Sequence, residues 1–367
     1  MKVTIAGGGT AGHVFNGLAL AERLRVDHDA EVGFIGSPDG QEAELIPAAG
    51  YRFHPVRARK MTRQLSWRTL SAPVVALRSV RDCRPLVATS DAVVGMGGYV
   101  SAPAVLAARG ARVPIVLHEQ NAIPGLANRL LARAAMAAGL TFADAASRLP
   151  RGLRTVVTGN PVRDLIRAVP ENRSALVVEA VQAFDLDPDR RTVFVLGGSQ
   201  GALRLDQTVA RMLPALRDRS DLQLLVSAGP AHVRVLEEAV EDGAPLRVRA
   251  YGFIERMDLA YAAAELAVAR AGANSISELS VCGVPMILVP YPHAAANHQE
   301  ANARELVRAG AAEMVLDASL DPDALAARIG SALGDERRLA TMGAAARAWA
   351  KPDADRRLAN LVVEVAA

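Results

Sequence analysis

Apolar residues recur along this chain in short blocks that alternate with stretches of helical spacing. Residues 3–6 form a strand-like block running into Gly7-Gly8-Gly9, and residues 14–25 follow with Leu18, Ala21 and Leu24 on one helical face. Residues 31–36 end in glycine, residues 91–96 enter Gly97-Gly98-Tyr99-Val100-Ser101, and residues 114–117 lead to His118-Glu119-Gln120-Asn121. The second half repeats the plan. A strand at 192–196 enters Gly197-Gly198-Ser199-Gln200-Gly201, a helix follows over 202–216, and further strands are expected at 222–227, 247–251, 266–269 and 286–289. Residues 323–349 read as helical; Pro352 breaks that run, and a last helix follows over 356–366. Strands alternating with helices predict an α/β protein with a parallel, doubly wound sheet in each half. At 367 residues two domains are expected, at roughly 150 residues per domain, with the boundary placed at 159–163.

Charge divides the same way. Residues 1–162 hold 19 Lys+Arg against 11 Asp+Glu, whereas residues 163–367 hold 23 against 28. A basic first half on a chain of net charge +3 points to an anionic surface or substrate on that side. Within it, Arg57, Arg59, Lys60, Arg63, Arg68, Arg78, Arg81 and Arg84 interleave with Met61, Leu65, Trp67, Leu70, Val74 and Leu77. Such a stretch either lies on an anionic membrane or packs its apolar face into the core with its arginines solvated. Cys83 and Cys282 are isolated, which argues against a disulfide scaffold or zinc site and for a reducing cytoplasm. The amino terminus is a strand entering a glycine turn rather than a signal peptide, and no run of about 18 apolar residues predicts a spanning helix.

The densest chemistry lies at 270–302. Gly272 allows a tight turn, Ser275 is expected to cap the next helix with Glu278 at capping-box spacing, and Gly283 and Pro285 end it. A helix start facing a turn is suited to phosphate. The loop after the strand at 286–289 carries His293, Asn297, His298, Gln299 and Asn302, neutral hydrogen-bonding groups suited to sugar hydroxyls. The turn at 7–13 matches G-x-G-x-x-G, but no acidic residue ends the second strand and no Gly-Lys-Ser/Thr follows, so neither a dinucleotide fingerprint nor a P-loop is complete. Residue types alone indicate a nucleotide-sugar transferase or epimerase.

Seven motifs occur in order: Gly-Gly-Gly-Thr-x-Gly-His at 7–13, Gly-Met-Gly-Gly-Tyr-Val-Ser at 95–101, His-Glu-Gln-Asn at 118–121, Gly-Asn-Pro-Val-Arg at 159–163, Gly-Gly-Ser-Gln-Gly-Ala at 197–202, Ser-Glu-Leu at 277–279 and Asn-His-Gln-x-x-Asn-Ala at 297–303. Across almost its whole length the chain resembles the MurG family, the peptidoglycan N-acetylglucosaminyltransferases of glycosyltransferase family 28. The resemblance implies the GT-B fold: two Rossmann-like domains facing across a cleft. Residues 1–162 would bind acceptor and membrane, residues 163–349 the UDP-sugar, and a C-terminal helix over about 350–367 would pack back on the first domain. It implies inverting transfer of N-acetylglucosamine from UDP-N-acetylglucosamine to the 4-hydroxyl of the muramyl sugar of lipid I, forming lipid II in cell-wall synthesis. It also implies a peripheral enzyme on the cytoplasmic face of the cell membrane, with no metal or cofactor. Its partners would be lipid I, UDP-N-acetylglucosamine, the anionic membrane surface and cell-wall or division proteins, and no nucleic acid.

Carried over by position, Glu278 matches the ribose ligand and Ile254 the residue whose backbone recognises uracil. Ser199 and Arg163 match groups near the diphosphate and nucleoside, and Ala273, Asn274, Ser275, Ile276 and Ser277 the helix start facing the phosphates. Asn121 and Gln299 match contacts to the N-acetylglucosamine. Thr10, Ala11 and Gly12 are placed beside the donor as well. Thr10, His13 and Tyr99 match the pocket for the acceptor's diphosphate, and Arg59, Lys60, Arg63, Leu65, Trp67 and Arg68 the membrane surface. His13 is the candidate catalytic base, its reference pKa of about 6.5 suiting a proton acceptor near neutrality; diphosphate binding or helix capping is the rival role, and Glu119 a second candidate base. The chain departs from the family in Ala11 for a usual glycine, Asn16 for a usual proline and His298 for a glutamine of some members. A soluble-acceptor transferase, a sugar-nucleotide 2-epimerase and a non-enzymatic scaffold are the competing functions.

Overall fold

The computed structural model describes residues 1–9, 11–57, 72–198, 201–241 and 243–367. Thr10, Ser199 and the membrane candidates Arg59, Lys60, Arg63, Leu65, Trp67 and Arg68 lie outside the described residues. The chain forms two compact units, one of Met1–Arg163 with Lys351–Ala367 and one of Asp164–Ala350.

In the first unit seven parallel strands, β1 (Lys2–Ala6), β2 (Glu31–Gly36), β3 (Arg52–Pro55), β4 (Ala92–Gly95), β5 (Ile115–Glu119), β6 (Ala137–Leu140) and β7 (Arg154–Val157), lie in the order β3-β2-β1-β4-β5-β6-β7. In the second, β8 (Arg191–Leu196), β9 (Leu222–Ser227), β10 (Arg247–Tyr251), β11 (Leu266–Ala269), β12 (Met286–Leu288) and β13 (Ala312–Met314) lie in the order β10-β9-β8-β11-β12-β13. The expected parallel sheet is thus present in each half. Its central strands are apolar throughout because helices cover both faces; β4 and β11 are buried at every position. Strands β3, β6 and β13 were not legible as strands: each is three or four residues long and contains polar or small residues that break the apolar run.

The chain re-enters the first unit at Lys351. Helix Ala354–Ala366 packs on helix Ala11–His28, burying Leu358, Leu361 and Val362 with Val3 and Ile5 of β1. Asp355, 1% exposed, meets Arg23 Nε at 3.1 Å across that contact. The expected single helix over 323–349 is two, Pro322–Leu333 and Glu336–Trp349. Asp335 between them accepts from Arg338 N, a side-chain N-cap that starts a new helix after Gly334.

Candidate active site

Each sheet changes strand order once, between β1 and β4 in the first unit and between β8 and β11 in the second. Connections from the carboxyl ends of strands flanking such a point diverge and leave a crevice, the usual ligand site of open α/β sheets. The glycine turns after β1, β4 and β8 and the Gly272 turn after β11 all fall there.

In the first unit, helix Ala11–His28 begins directly after the glycine turn, with Gly12 and His13 half-buried in its first turn. The His13 ring lies against Gly97, where a Cβ would stand 3.1 Å from Nε2. That contact would be tight, and Gly97 also has φ +97°, a backbone angle that favours glycine. Tyr99 on the same loop reaches the first turn, 3.6 Å from where a Cβ on Gly9 would be. At the end of β5, Gln120 Nε2 lies 3.1 Å from His13 Nε2. Asn16, 1% exposed, donates to Gln120 Oε1 at 3.3 Å and to Asn160 Oδ1 at 2.7 Å. Asn16 is therefore an interior helical position whose carboxamide joins its helix to two loops.

Glu119 is a poor base in this setting. Its carboxylate, 3% exposed, accepts from Asn121 N at 2.9 Å, Gly125 N at 3.0 Å and Asn128 Nδ2 at 2.9 Å. Burial pushes its pKa up, against those donors. Its work is to close the 120–125 turn that presents the half-buried Asn121. His118 beside it is fully buried, its Nε2 3.3 Å from Gly159 O, and burial holds its pKa down to about 4, so it stays neutral. Arg163 places its guanidinium 5.1 Å over the Phe15 ring.

In the second unit, helix Ala273–Cys282 follows β11 after three residues, and Gly283 ends it as expected. The expected cap is different. Gly272 is the N-cap, with no side-chain cap hydrogen bond, and Ser275 is the third helical residue. Glu278 therefore closes no capping box. It is held from another helix: Tyr261 OH donates to Glu278 Oε2 at 2.8 Å. Tyr261 is fully buried, edge-on to Phe194 at 5.8 Å. Asn274, Ser275 and Glu278 are half-buried while Ala273, Ile276 and Ser277 are buried, so the helix start offers backbone and one carboxylate from the same end. Ile254 lies just past β10 and is 4% exposed, which leaves its backbone as its polar resource. Gln299 Oε1 accepts from Tyr291 N at 2.9 Å, bracing the loop after β12. Asn302, expected among the sugar-binding groups, is fully buried and donates to Ala271 O at 3.1 Å. Among the described residues no group of three His, Cys, Asp or Glu side chains could hold a metal.

Beneath the turn after β8, the fully buried Asp206 accepts from Ala202 N at 3.1 Å and meets His232 Nδ1 at 3.2 Å. Burial pushes the Asp206 carboxyl up to about 6, above its ordinary 3.8. The folded state then holds a proton that the unfolded chain releases, so this group's stabilisation is full below about pH 4 and is lost as pH rises through about 6. Asp206→Asn is expected to flatten that segment of the urea midpoint against pH; an unchanged slope would show that Asp206 does not titrate there.

Residues 3–139 match the glycosyltransferase family 28 N-terminal domain and residues 192–358 the family 28 C-terminal domain. A relative from Nocardioides sp. is 41% identical over 100% of this chain and 98% of its own length, and one from Acidothermus cellulolyticus is also 41% identical, with the same coverage. The chain belongs to glycosyltransferase family 28. Both relatives are named UDP-N-acetylglucosamine--N-acetylmuramyl-(pentapeptide) pyrophosphoryl-undecaprenol N-acetylglucosamine transferase. The crystal structure of Acinetobacter baumannii MurG superposes with TM-score 0.78 at 28% identity over 99% of each chain, and the fold is GT-B. S. aureus MnaA with UDP shares the fold alone, at TM-score 0.69 and 15% identity over 98% of this chain and 95% of its own.

Three residues of this family 28 chain escaped the sequence reading. Tyr261 orients Glu278 from 17 residues away, and Gln120 meets His13 across 107. Glu42, fully buried, takes Gly9 N at 3.2 Å on each oxygen and Ser37 N at 3.0 Å. No acidic residue ends β2; Glu42, at the start of helix Glu42–Ala48, binds the glycine turn.

Proposed function

We propose that this protein transfers N-acetylglucosamine from UDP-N-acetylglucosamine to the 4-hydroxyl of the muramyl sugar of lipid I, with inversion, releasing UDP and forming lipid II. The observation that carries this reading is the end-to-end match, at 36–41% identity, to relatives named for that transfer. In the second unit, Glu278 accepts the ribose hydroxyls, the Ile254 backbone reads uracil, and the helix start at Ala273–Ser277 with Ser199 takes the diphosphate. Backbone N–H groups and the helix dipole there do what a metal does elsewhere. Gln299 serves the N-acetylglucosamine. In the first unit, Asn121 is assigned to N-acetylglucosamine and Arg163 and Thr10–Gly12 to the donor by position, and Thr10, His13 and Tyr99 to the acceptor's diphosphate. The test is UDP release with and without a short-chain lipid I analogue. Release only with acceptor is expected; conversion of UDP-N-acetylglucosamine to its 2-epimer without acceptor would overturn the transferase reading in favour of an epimerase.

No helix among the described residues is long and apolar enough to cross a membrane. Helix Ala102–Ala111 packs against Ala72–Val87 and Leu126–Leu131; Leu77, Leu126, Leu130 and Met136 on or just after these helices are 58–72% exposed, and Arg129 and Arg133 are exposed beside the last three in sequence. This surface supports peripheral attachment to the anionic cytoplasmic face of the membrane, beyond the stretch at 59–68. Each arginine near such a surface contributes about 1 kcal/mol, so Arg129→Gln with Arg133→Gln is expected to weaken binding to phosphatidylglycerol vesicles about 10-fold or more. Unchanged cosedimentation would remove this face from the membrane contact.

A further inference from the structure

The turn after β8 closes on itself and on the turn after β9. Gly197 N donates to Ser227 O at 3.2 Å and Gly201 N to Gly198 O at 2.9 Å, and a Cβ on Gly197 would stand 2.8 Å from Ala202 N. Gly201 has φ +74°, and a Cβ there would collide with Ala228 O and stand 2.7 Å from His232 Nδ1. Residues 228–232 pack onward to the end of β10. Ala228 N donates to Tyr251 O at 3.0 Å, and a Cβ on Gly252 would meet Pro230 Cα at 3.1 Å. The ends of β8, β9 and β10 therefore pack in the order of the sheet, with Gly201 on one side and Gly252, two residues before Ile254, on the other.

One side-chain pair joins the first two turns. Asp206, fully buried in the first turn of helix Leu203–Leu216, accepts from Ala202 N through Oδ2 at 3.1 Å, and the same oxygen meets His232 Nδ1 at 3.2 Å. An acid here suits the helix dipole but not a phosphate held at the same helix start. Burial raises its carboxyl, against the pull of Ala202 N, His232 and Arg270. Arg270 is itself committed to Asp317 at 2.6 Å and to Val289 O and Pro290 O at 3.2 Å each. His232 is thus the group that ties Asp206 to the next turn.

We infer that Asp206 and His232 are positioning residues for the donor's diphosphate, fixing the turn after β8 through Ala202 and Gly201. The inference rests on the reading above that this turn takes the diphosphate. Asp206 acts from beneath the turn, through the backbone it holds. The base end is anchored separately, by Ala228 on Tyr251 and Pro230 on Gly252. Loosening the pair is therefore felt by the phosphates and not by uracil or ribose.

The test compares UDP with uridine, which lacks the phosphates, by ligand-observed NMR on the wild type, Asp206→Ala, Asp206→Asn and His232→Ala. Asp206→Ala is expected to weaken UDP about 10-fold and uridine less than about 2-fold, the loss of one charge-assisted hydrogen bond felt at one end of the ligand. Retained uridine binding shows that the variant is folded. Asp206→Asn keeps an oxygen for Ala202 N and should recover most of the UDP affinity. His232→Ala should cost UDP about 3-fold, and adding it to Asp206→Ala should cost little more, because the two act as one unit. Equal losses for UDP and uridine, or no loss for either, would overturn the inference. A wild type that binds UDP no better than uridine would overturn the placement of the diphosphate itself, and the inference with it.

Discussion

Glu278→Ala is expected to raise the KM for UDP-N-acetylglucosamine about 100-fold while changing kcat far less. A carboxylate accepting two ribose hydroxyls makes two charge-assisted hydrogen bonds of ~1.5–3 kcal/mol each, and a net loss of ~3 kcal/mol corresponds to about 100-fold. The ribose is remote from the bond that breaks, so its contact is held equally in ground and transition states and its loss appears in KM. Glu278→Gln keeps one acceptor oxygen and should fall between. Tyr261→Phe removes the 2.8 Å hydrogen bond that orients the carboxylate and leaves the acceptor itself, so a few-fold rise in KM is expected. Calorimetry with UDP alone checks the series: a Glu278→Ala variant binding UDP as tightly as the wild type would end the ribose assignment, whatever its turnover.

Glu42→Ala is expected to destabilise the first unit by about 2 kcal/mol and to disorder the turn that presents His13. The substitution leaves Gly9 N and Ser37 N without the acceptor they now share; the exposed Gly9 N can turn to water, whereas Ser37 is buried, and a buried donor left unsatisfied costs ~1–3 kcal/mol. The triple glycine is shaped around this carboxylate. A Cβ on Gly8, at φ +153°, would stand 2.0 Å from Glu42 Oε1. Gly8→Ala should therefore be as damaging as Glu42→Ala, and the double variant less so than the sum of the two, because removing the carboxylate removes the collision. Urea unfolding of the four proteins measures the coupling; strict additivity would show that the carboxylate does not dictate glycine at position 8.

Local sequence determined the alternation of strands and helices, the two parallel sheets, the glycine turns at strand ends and the ordered motifs that point to family 28. These are written in near-neighbour periodicity and in residue types such as Gly97 and Gly283, whose backbone angles few other residues adopt. Ser275 shows the limit of local spacing: Ser-x-x-Glu looks like a cap, but the backbone turns at Gly272 and Glu278 is claimed by Tyr261 on a different helix. Glu42 reaches Gly9 across 33 residues, Gln120 reaches His13 across 107, and Asn16 reaches Asn160 across 144. Such pairings cost chain entropy that only the packed sheet repays, and they have no period to read. The chemistry was therefore legible as a set of residues, while the tertiary structure decided which partner each of them meets.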